Sequence, residues 1–293
     1  MDLSIIQFPH PGSEHRVPED GWTSWNTKDH CRKFMINNGK YLTDNSQVVE
    51  SDIVFWGEWE PPSERVCSWP AQGDLPKNLV RPRFPGEPAY NPGIQNTDPC
   101  IFGDKFRYTL CRQIKSGRAT AMTRVAFGSM ILFGSKKNNA FVLDLVFVVS
   151  EDIVPHSRTN WSKNLKEKIS DTYRSVTMNP MYWDTTIPES LQFMMYEGTP
   201  YSSLESEIFS FFPCLPVSST TEWPRFARPT IELPGIINPE SATTFKKTIL
   251  NKSEISEAWK CVVSQVREQG LELGISTVEP TLTEVPKQHW TWL

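Results

Sequence analysis

Apolar residues in this chain fall mostly into short runs separated by turn-forming residues, the pattern of a β-rich fold. Leu3-Ser4-Ile5-Ile6-Gln7-Phe8 predicts a first strand, stopped by Pro9-His10-Pro11-Gly12. Asp52 to Glu60 predicts another, rich in β-branched and aromatic residues and stopped by Pro61-Pro62. Lys105–Ile114 reads as regular structure that turns at Ser116-Gly117 and resumes through Ala126–Ser135. Lys136-Lys137-Asn138-Asn139 then predicts a hairpin turn into Phe141–Val149. That returning strand is apolar at both parities, as expected for a strand in the middle of a sheet or barrel. Asp144 is the one carboxylate inside it and must be paired, most simply with Arg118 or Arg124, or with backbone N–H groups.

Two segments carry helical spacing. Trp161, Leu165, Ile169, Tyr173 and Val176 form an amphipathic stripe over 161–176. Asn251 and Glu254 have capping-box spacing before Ile255, Trp259, Val262, Val263 and Val266, and Gly270 ends that helix. Nine prolines between Pro61 and Pro99 argue against central strands and long helices there, leaving an ordered loop or insertion. The aromatic cluster Phe209–Phe212 and the Trp290/Trp292 tail read as packing residues. With no repeat and no low-complexity linker, 1–293 reads as a single elaborated α+β, β-rich domain.

Composition narrows the class. The 293 residues can bury a large core, and no apolar stretch is long enough to span a bilayer. The N-terminus lacks a signal-peptide pattern, so a cytoplasmic protein with free thiols is expected. A net charge of −4 argues against coating duplex nucleic acid. The charge is uneven, however: 102–140 carries eight bases and one acid, a +7 segment in an acidic body. Such focused positive charge suits a small anionic ligand, although lysines and arginines on solvated strand edges would look the same.

No phosphate-binding glycine loop, dinucleotide fingerprint, zincin motif or nucleophile elbow is present. The six cysteines form no C-x-x-C pair. His30-Cys31, Cys67, Cys100 and Cys111 could assemble a metal site, but their spacing does not recommend one, and no cofactor or metal is expected. Two polar constellations remain. His10 and His15 flank a loop after the first strand, where imidazoles can exchange protons near neutral pH. In Trp56-Gly57-Glu58-Trp59-Glu60, alternation sets Trp56 and Glu58 on one face and Gly57 and Trp59 on the other. An indole beside a carboxylate can stack a planar heterocycle and accept from its exocyclic amine.

Phe127-Gly128-Ser129-Met130-Ile131-Leu132-Phe133-Gly134-Ser135, with its turn and returning strand, resembles the central hairpin of PUA-like barrels. The EVE and YTH branches, together with the ASCH type, share this glycine-polar-apolar strand ending in an aromatic-small-Ser unit. Here Ser129 stands for the usual Asp, and Gly134 for the second aromatic. The resemblance covers about a quarter of the chain. It implies a PUA-like β-barrel core over 1–60 and 102–176, a Pro-rich insertion over 61–101 and a C-terminal elaboration with additional helices over 177–293. It also implies a pocket for a nucleotide or modified, flipped or single-stranded nucleobase, plausible in nucleic-acid modification, restriction or nucleotide-signalled defence. Trp56 and Phe133 would then be its aromatic walls, Glu58 and Ser135 its edge readers, and Arg118, Arg124, Lys136 and Lys137 its phosphate contacts. Trp59 and Asp144 complete the candidate set. The alternative is a hydrolytic enzyme on a nucleotide or glycosidic bond, with His10 or His15 as base and Glu58 or Asp144 as its partner. A further alternative is a subunit that docks a protein partner through its aromatic surface.

Overall fold

The computed structural model describes residues 2–10, 12–27, 30–86, 93–183, 187–202, 207–218 and 222–286. Trp290 and Trp292 lie outside them. The first third of the chain carries β1 (Ser4–Pro9), β2 (Trp22–Thr23), β3 (Lys33–Leu42), β4 (Val48–Gly57), β5 (Ser63–Ser68) and β6 (Asn78–Pro82). The middle adds β7 (Arg107–Tyr108), β8 (Ile114–Lys115), β9 (Arg118–Ala119), β10 (Met130–Lys137) and β11 (Ala140–His156). After short helices between Trp161 and Trp183 come β12 (Phe193–Gly198), β13 (Phe212–Pro216), β14 (Lys246–Ile249), the long helix α1 (Lys252–Glu268) and β15 (Glu272–Thr277).

The protein is β-rich and mixed. A six-stranded sheet has the order β14-β1-β10-β11-β12-β7, and a seven-stranded sheet the order β15-β13-β4-β3-β6-β5-β2. In the second sheet β15 also pairs with β3, so β3, β4, β13 and β15 close into a ring. The predicted hairpin forms as β10 and β11, turning through Asn138 and Asn139, both with left-handed backbone. Its register shifts between Phe133 and Gly134, which face Leu145 and Leu143. Asp144 is therefore the extra residue of a β-bulge. The first strand is central: β1 runs parallel to β10 and antiparallel to β14.

One buried cluster joins Ile6, Phe8, Phe133 and Phe147 of the first sheet to Met35, Phe55 and Phe212 of the second. The other joins Ile5, Leu132 and Val146 to Phe34 and Trp56, beneath Ile255, Trp259 and Val262 of α1. As expected, α1 opens on a capping box of Asn251 and Glu254, and Gly270 with φ +75° follows it.

Three local expectations are corrected. The Pro-rich stretch contains β5 and β6, and β6 lies inside the sheet. Prolines 61, 62, 70 and 76 sit outside these strands and Pro82 ends β6, so they punctuate the strands rather than forbid them. The 161–176 stripe is broken: a helix ends at Leu165, and Ser170 caps a new one by accepting from the Tyr173 N–H. Residues 177–293 supply strands to both sheets and are integral to them.

His156, at the end of β11, is fully buried between Thr109 Oγ1 (2.6 Å) and the Tyr182 hydroxyl (2.5 Å). Burial lowers its pKa to about 3. The unfolded chain therefore binds the extra proton between about pH 6.5 and 3. This contribution to stability is complete above 6.5 and is lost as pH falls towards 3. Denaturant titrations should show a shallower acid loss for His156→Gln than for the wild type across that window. Parallel curves would contradict this assignment.

Candidate functional site

The ends of β1, β3, β4 and β10 meet at a buried ionic cluster. His10 follows β1 directly, and its N–H extends the ladder to the Gly134 carbonyl (2.7 Å). The loop after it is zipped onto Arg32, whose N–H donates to the Ser13 carbonyl while its carbonyl accepts from His15 N–H, each at 2.8 Å. Arg32 precedes β3, and Glu58 follows β4 where Lys33 and Gly57 pair. The fold thus holds these side chains on strand ends rather than on free loops.

Arg32, 1% exposed, is the hub. Its Nε donates to Asp144 Oδ2 (2.7 Å) and its Nη1 to Glu58 Oε1 (2.5 Å). Its Nη2 lies 2.8 Å from His10 Nδ1, which itself rests against Glu58 Oε1. Arg228 supplies a second cation: Nη1 donates to Ser135 Oγ (2.6 Å) and reaches Asp144 Oδ1 (3.4 Å), and Nη2 donates to the Gly12 carbonyl (2.6 Å). Next to His10, at 5.0 Å between ring centroids, stands His30, whose Nδ1 faces Glu60 Oε1 at 3.1 Å. A ring nitrogen of His10, one of His30 and Cys111 Sγ lie within 4.8 Å of one another.

Electrostatics separate the members. Burial would raise the Glu58 pKa, but Arg32 and His10 outweigh it and hold the carboxyl down to about 2. His10 is lowered, chiefly by burial, which the charge of Glu58 only partly offsets. His30 is also opposed by burial, yet its hydrogen bond to Glu60 and the charge of Glu58 raise it to about 9. Two adjacent imidazoles are thereby pushed in opposite directions. Cys111 sits on a turn held by Asp98, whose carboxylate accepts from the N–H groups of Thr109, Leu110 and Cys111.

The structure assembles some of the sequence candidates and scatters others. His10 and Glu58 meet, as one alternative required. His15 does not join them: its Nδ1 donates to the Arg16 carbonyl (2.8 Å), and burial lowers it to about 4. Asp144 is a buried partner of arginines, but of Arg32 and Arg228, which reach it from distant segments. Arg118 and Arg124 are exposed. Lys136 pairs with Glu240 (2.6 Å) and Lys137 with Asp74 (3.1 Å), so each of these lysines already has an acidic partner. β4 stops at Gly57, and Glu58 lies beyond the strand alternation expected of it.

The proposed aromatic walls are packed. Trp56 donates from Nε1 to the Phe226 carbonyl (2.9 Å) and carries the Arg228 guanidinium over its ring at 5.5 Å. Phe133 packs on Phe8 and Tyr108, Trp59 is a core residue, and Ser135 is taken by Arg228. Between Trp56, Phe133, Glu58 and Asp144 only about 20 Å³ is open, room for one water and not for a base.

A larger space begins one residue from the cluster. Arg112, with φ +58°, turns away from Cys111 and lines a cleft of about 380 Å³ with Ile114, Lys115, Thr120, Thr243, Thr244 and Phe245. Its guanidinium lies over the Phe8 ring at 5.3 Å and donates to the Thr243 carbonyl. The sequence does not single out Arg32 or Arg228; it offers His30 and Cys111 only in a metal set that their spacing does not recommend, and Glu60 and Arg112 only within the Trp56–Glu60 string and the +7 segment. For Arg32 the one local signal is the polar run His30-Cys31-Arg32-Lys33 leading straight into the apolar Phe34-Met35-Ile36, and Arg228 has none. No known protein family, no curated protein and no solved structure matches this chain.

Proposed function

We propose that the protein binds a nucleotide-sized anion in the cleft beside Arg112. The observation that carries this reading is the cleft itself: about 380 Å³, lined by Arg112 and Lys115 of the +7 segment and by the ring of Phe245. That volume suits a small ligand, with a cation for phosphate and an aromatic edge for a base. The hairpin behind the PUA-like resemblance lies in the six-stranded sheet rather than in the closed ring of β3, β4, β13 and β15. The ligand class therefore rests on the cleft and its charge, not on a barrel. Among the described residues, Val48, Phe127, Ile249, Val278 and Leu282 are the exposed large apolar side chains. No helix among the described residues is long and apolar enough to cross a membrane.

Thermal-shift and calorimetric titration with nucleoside monophosphates, the matching nucleosides and inorganic phosphate tests the reading. The monophosphate should bind best. Arg112→Ala should weaken it at least about tenfold, or about 1.4 kcal/mol, whereas Arg118→Ala on the neighbouring hairpin should not. Absence of any ligand response, or equal binding by Arg112→Ala, would refute it.

A second reading, a hydrolytic enzyme, is favoured by the contact between His10 and Glu58. A base oriented by a carboxylate is half of an acid–base centre, and it stands close to the cleft through Cys111 and Phe8. Product analysis on the same ligand panel separates turnover from binding.

A further inference from the structure

The cluster has the donor chemistry of a transition-metal site, and we propose that His10, His30 and Cys111 bind a divalent ion of the zinc class. This inference does not depend on what the Arg112 cleft holds. Three observations carry it. Two imidazoles and a thiol place one donor atom each within 4.8 Å of one another. Ligand atoms around tetrahedral zinc stand about 3–4 Å apart, given metal–nitrogen and metal–sulfur bonds of about 2.0 and 2.3 Å. Small side-chain rotations close the difference.

The second observation is the orientation of both rings. His10 Nδ1 lies between Glu58 and Arg32 and His30 Nδ1 faces Glu60, which leaves Nε2 of each ring as the nitrogen free to ligate. Metal-ligating histidines are held in this way, with the far nitrogen on a carboxylate that fixes the tautomer and strengthens the ligand. The third is Glu58 Oε2. It is buried without a hydrogen-bond partner and lies 3.8 Å from His30 Nδ1. An unsatisfied carboxylate oxygen is costly in a protein interior. Here it presents a negative oxygen beside the three donors; because Glu58 also serves Arg32, the charges left to offset a dication are Glu60 and the Cys111 thiolate. The two imidazoles with one thiolate favour zinc or cobalt over magnesium or calcium, which prefer oxygen. Binding releases the thiol proton, and both imidazoles bind as neutral ligands. A loaded site and a free His10 base therefore exclude each other.

The test uses the full chain, stripped with chelator and titrated with cobalt(II) as a spectroscopic probe, with zinc competition read by mass spectrometry of bound metal. The expected result is one equivalent of cobalt, a tetrahedral visible spectrum and a near-ultraviolet thiolate-to-cobalt band, all displaced by zinc. Cys111→Ser should abolish the thiolate band, and His30→Gln should weaken binding at least tenfold. Cys261→Ser, on the exposed face of α1, should change neither. Circular dichroism reports whether each variant is folded. If Cys111→Ser does not fold, the wild-type band and the His30→Gln affinity decide the matter. A wild-type chain that binds no stoichiometric cobalt, a band that survives in folded Cys111→Ser, or unchanged affinity in His30→Gln would overturn the proposal.

Discussion

Arg32→Met should cost about 3–5 kcal/mol of folding free energy, among the largest effects of any single substitution outside the apolar core. The reason lies in what the guanidinium leaves behind. Arg32 donates to both Glu58 and Asp144, and all three side chains are nearly inaccessible to water. A methionine preserves much of the length and apolar contact but provides no positive charge, so two buried carboxylates lose their main partner. Lysine cannot substitute, because a point charge cannot serve Nε and Nη1 geometries together. Urea unfolding of the wild type and Arg32→Met measures the loss. The triple variant Arg32→Met/Glu58→Gln/Asp144→Asn should recover a large part of it, since the amides carry no charge to strand. A loss under about 1 kcal/mol, or no recovery in the triple variant, would show that the cluster is not stabilised through this arginine.

The second large effect is expected at Gly134. A Cβ there would stand 2.1 Å from the Val142 carbonyl oxygen and 2.6 Å from the Phe141 ring. The oxygen belongs to the partner strand of the hairpin, so relief requires β10 and β11 to separate at the bulge. Gly134→Ala should therefore cost about 1–3 kcal/mol or more from overpacking. It should also disturb Asp144, the bulged residue, and so weaken the grip of Arg32 and Arg228. Thermal denaturation of Gly134→Ala, alone and combined with Asp144→Asn, tests the coupling: the two losses should not add. Strict additivity would separate the bulge from the cluster. The same clash leaves no room for an aromatic side chain at this position.

What the sequence disclosed, and what it withheld, follows from the range of the interactions. The hairpin of β10 and β11 was legible because a two-asparagine turn and its flanking apolar runs are adjacent. Helix α1 was legible for the same reason, since its cap, stripe and terminating glycine lie within one segment. The parallel pairing of Ile5 with Met130 has no such local signal. Proximity in sequence points Asp144 to Arg118, Arg124 or backbone N–H groups, because nothing local marks a more distant partner. The true partners come from residues 32 and 228, brought in by strands that pair at long range. The sequence points to His10 on the loop after the first strand and to Glu58 inside the second predicted strand, whereas in the fold both stand just past a strand end. That they converge with His30 and Cys111 depends on tertiary geometry alone.

The placement of β1 has a consequence for how the molecule is made. Within this chain β1 is synthesised well before its sheet neighbours β10 and β14, which end at residues 137 and 249. The growing chain carries an unpaired Ser4–Pro9 until β10 has emerged, and one edge stays open until β14 follows. Strands β3 and β4 can pair at once, so the ring sheet can begin to assemble early. The other sheet must wait, with high contact order and slow closure. Any ribosome-associated partner that shields unpaired hydrophobic strands would therefore influence the yield of this fold more than its final stability.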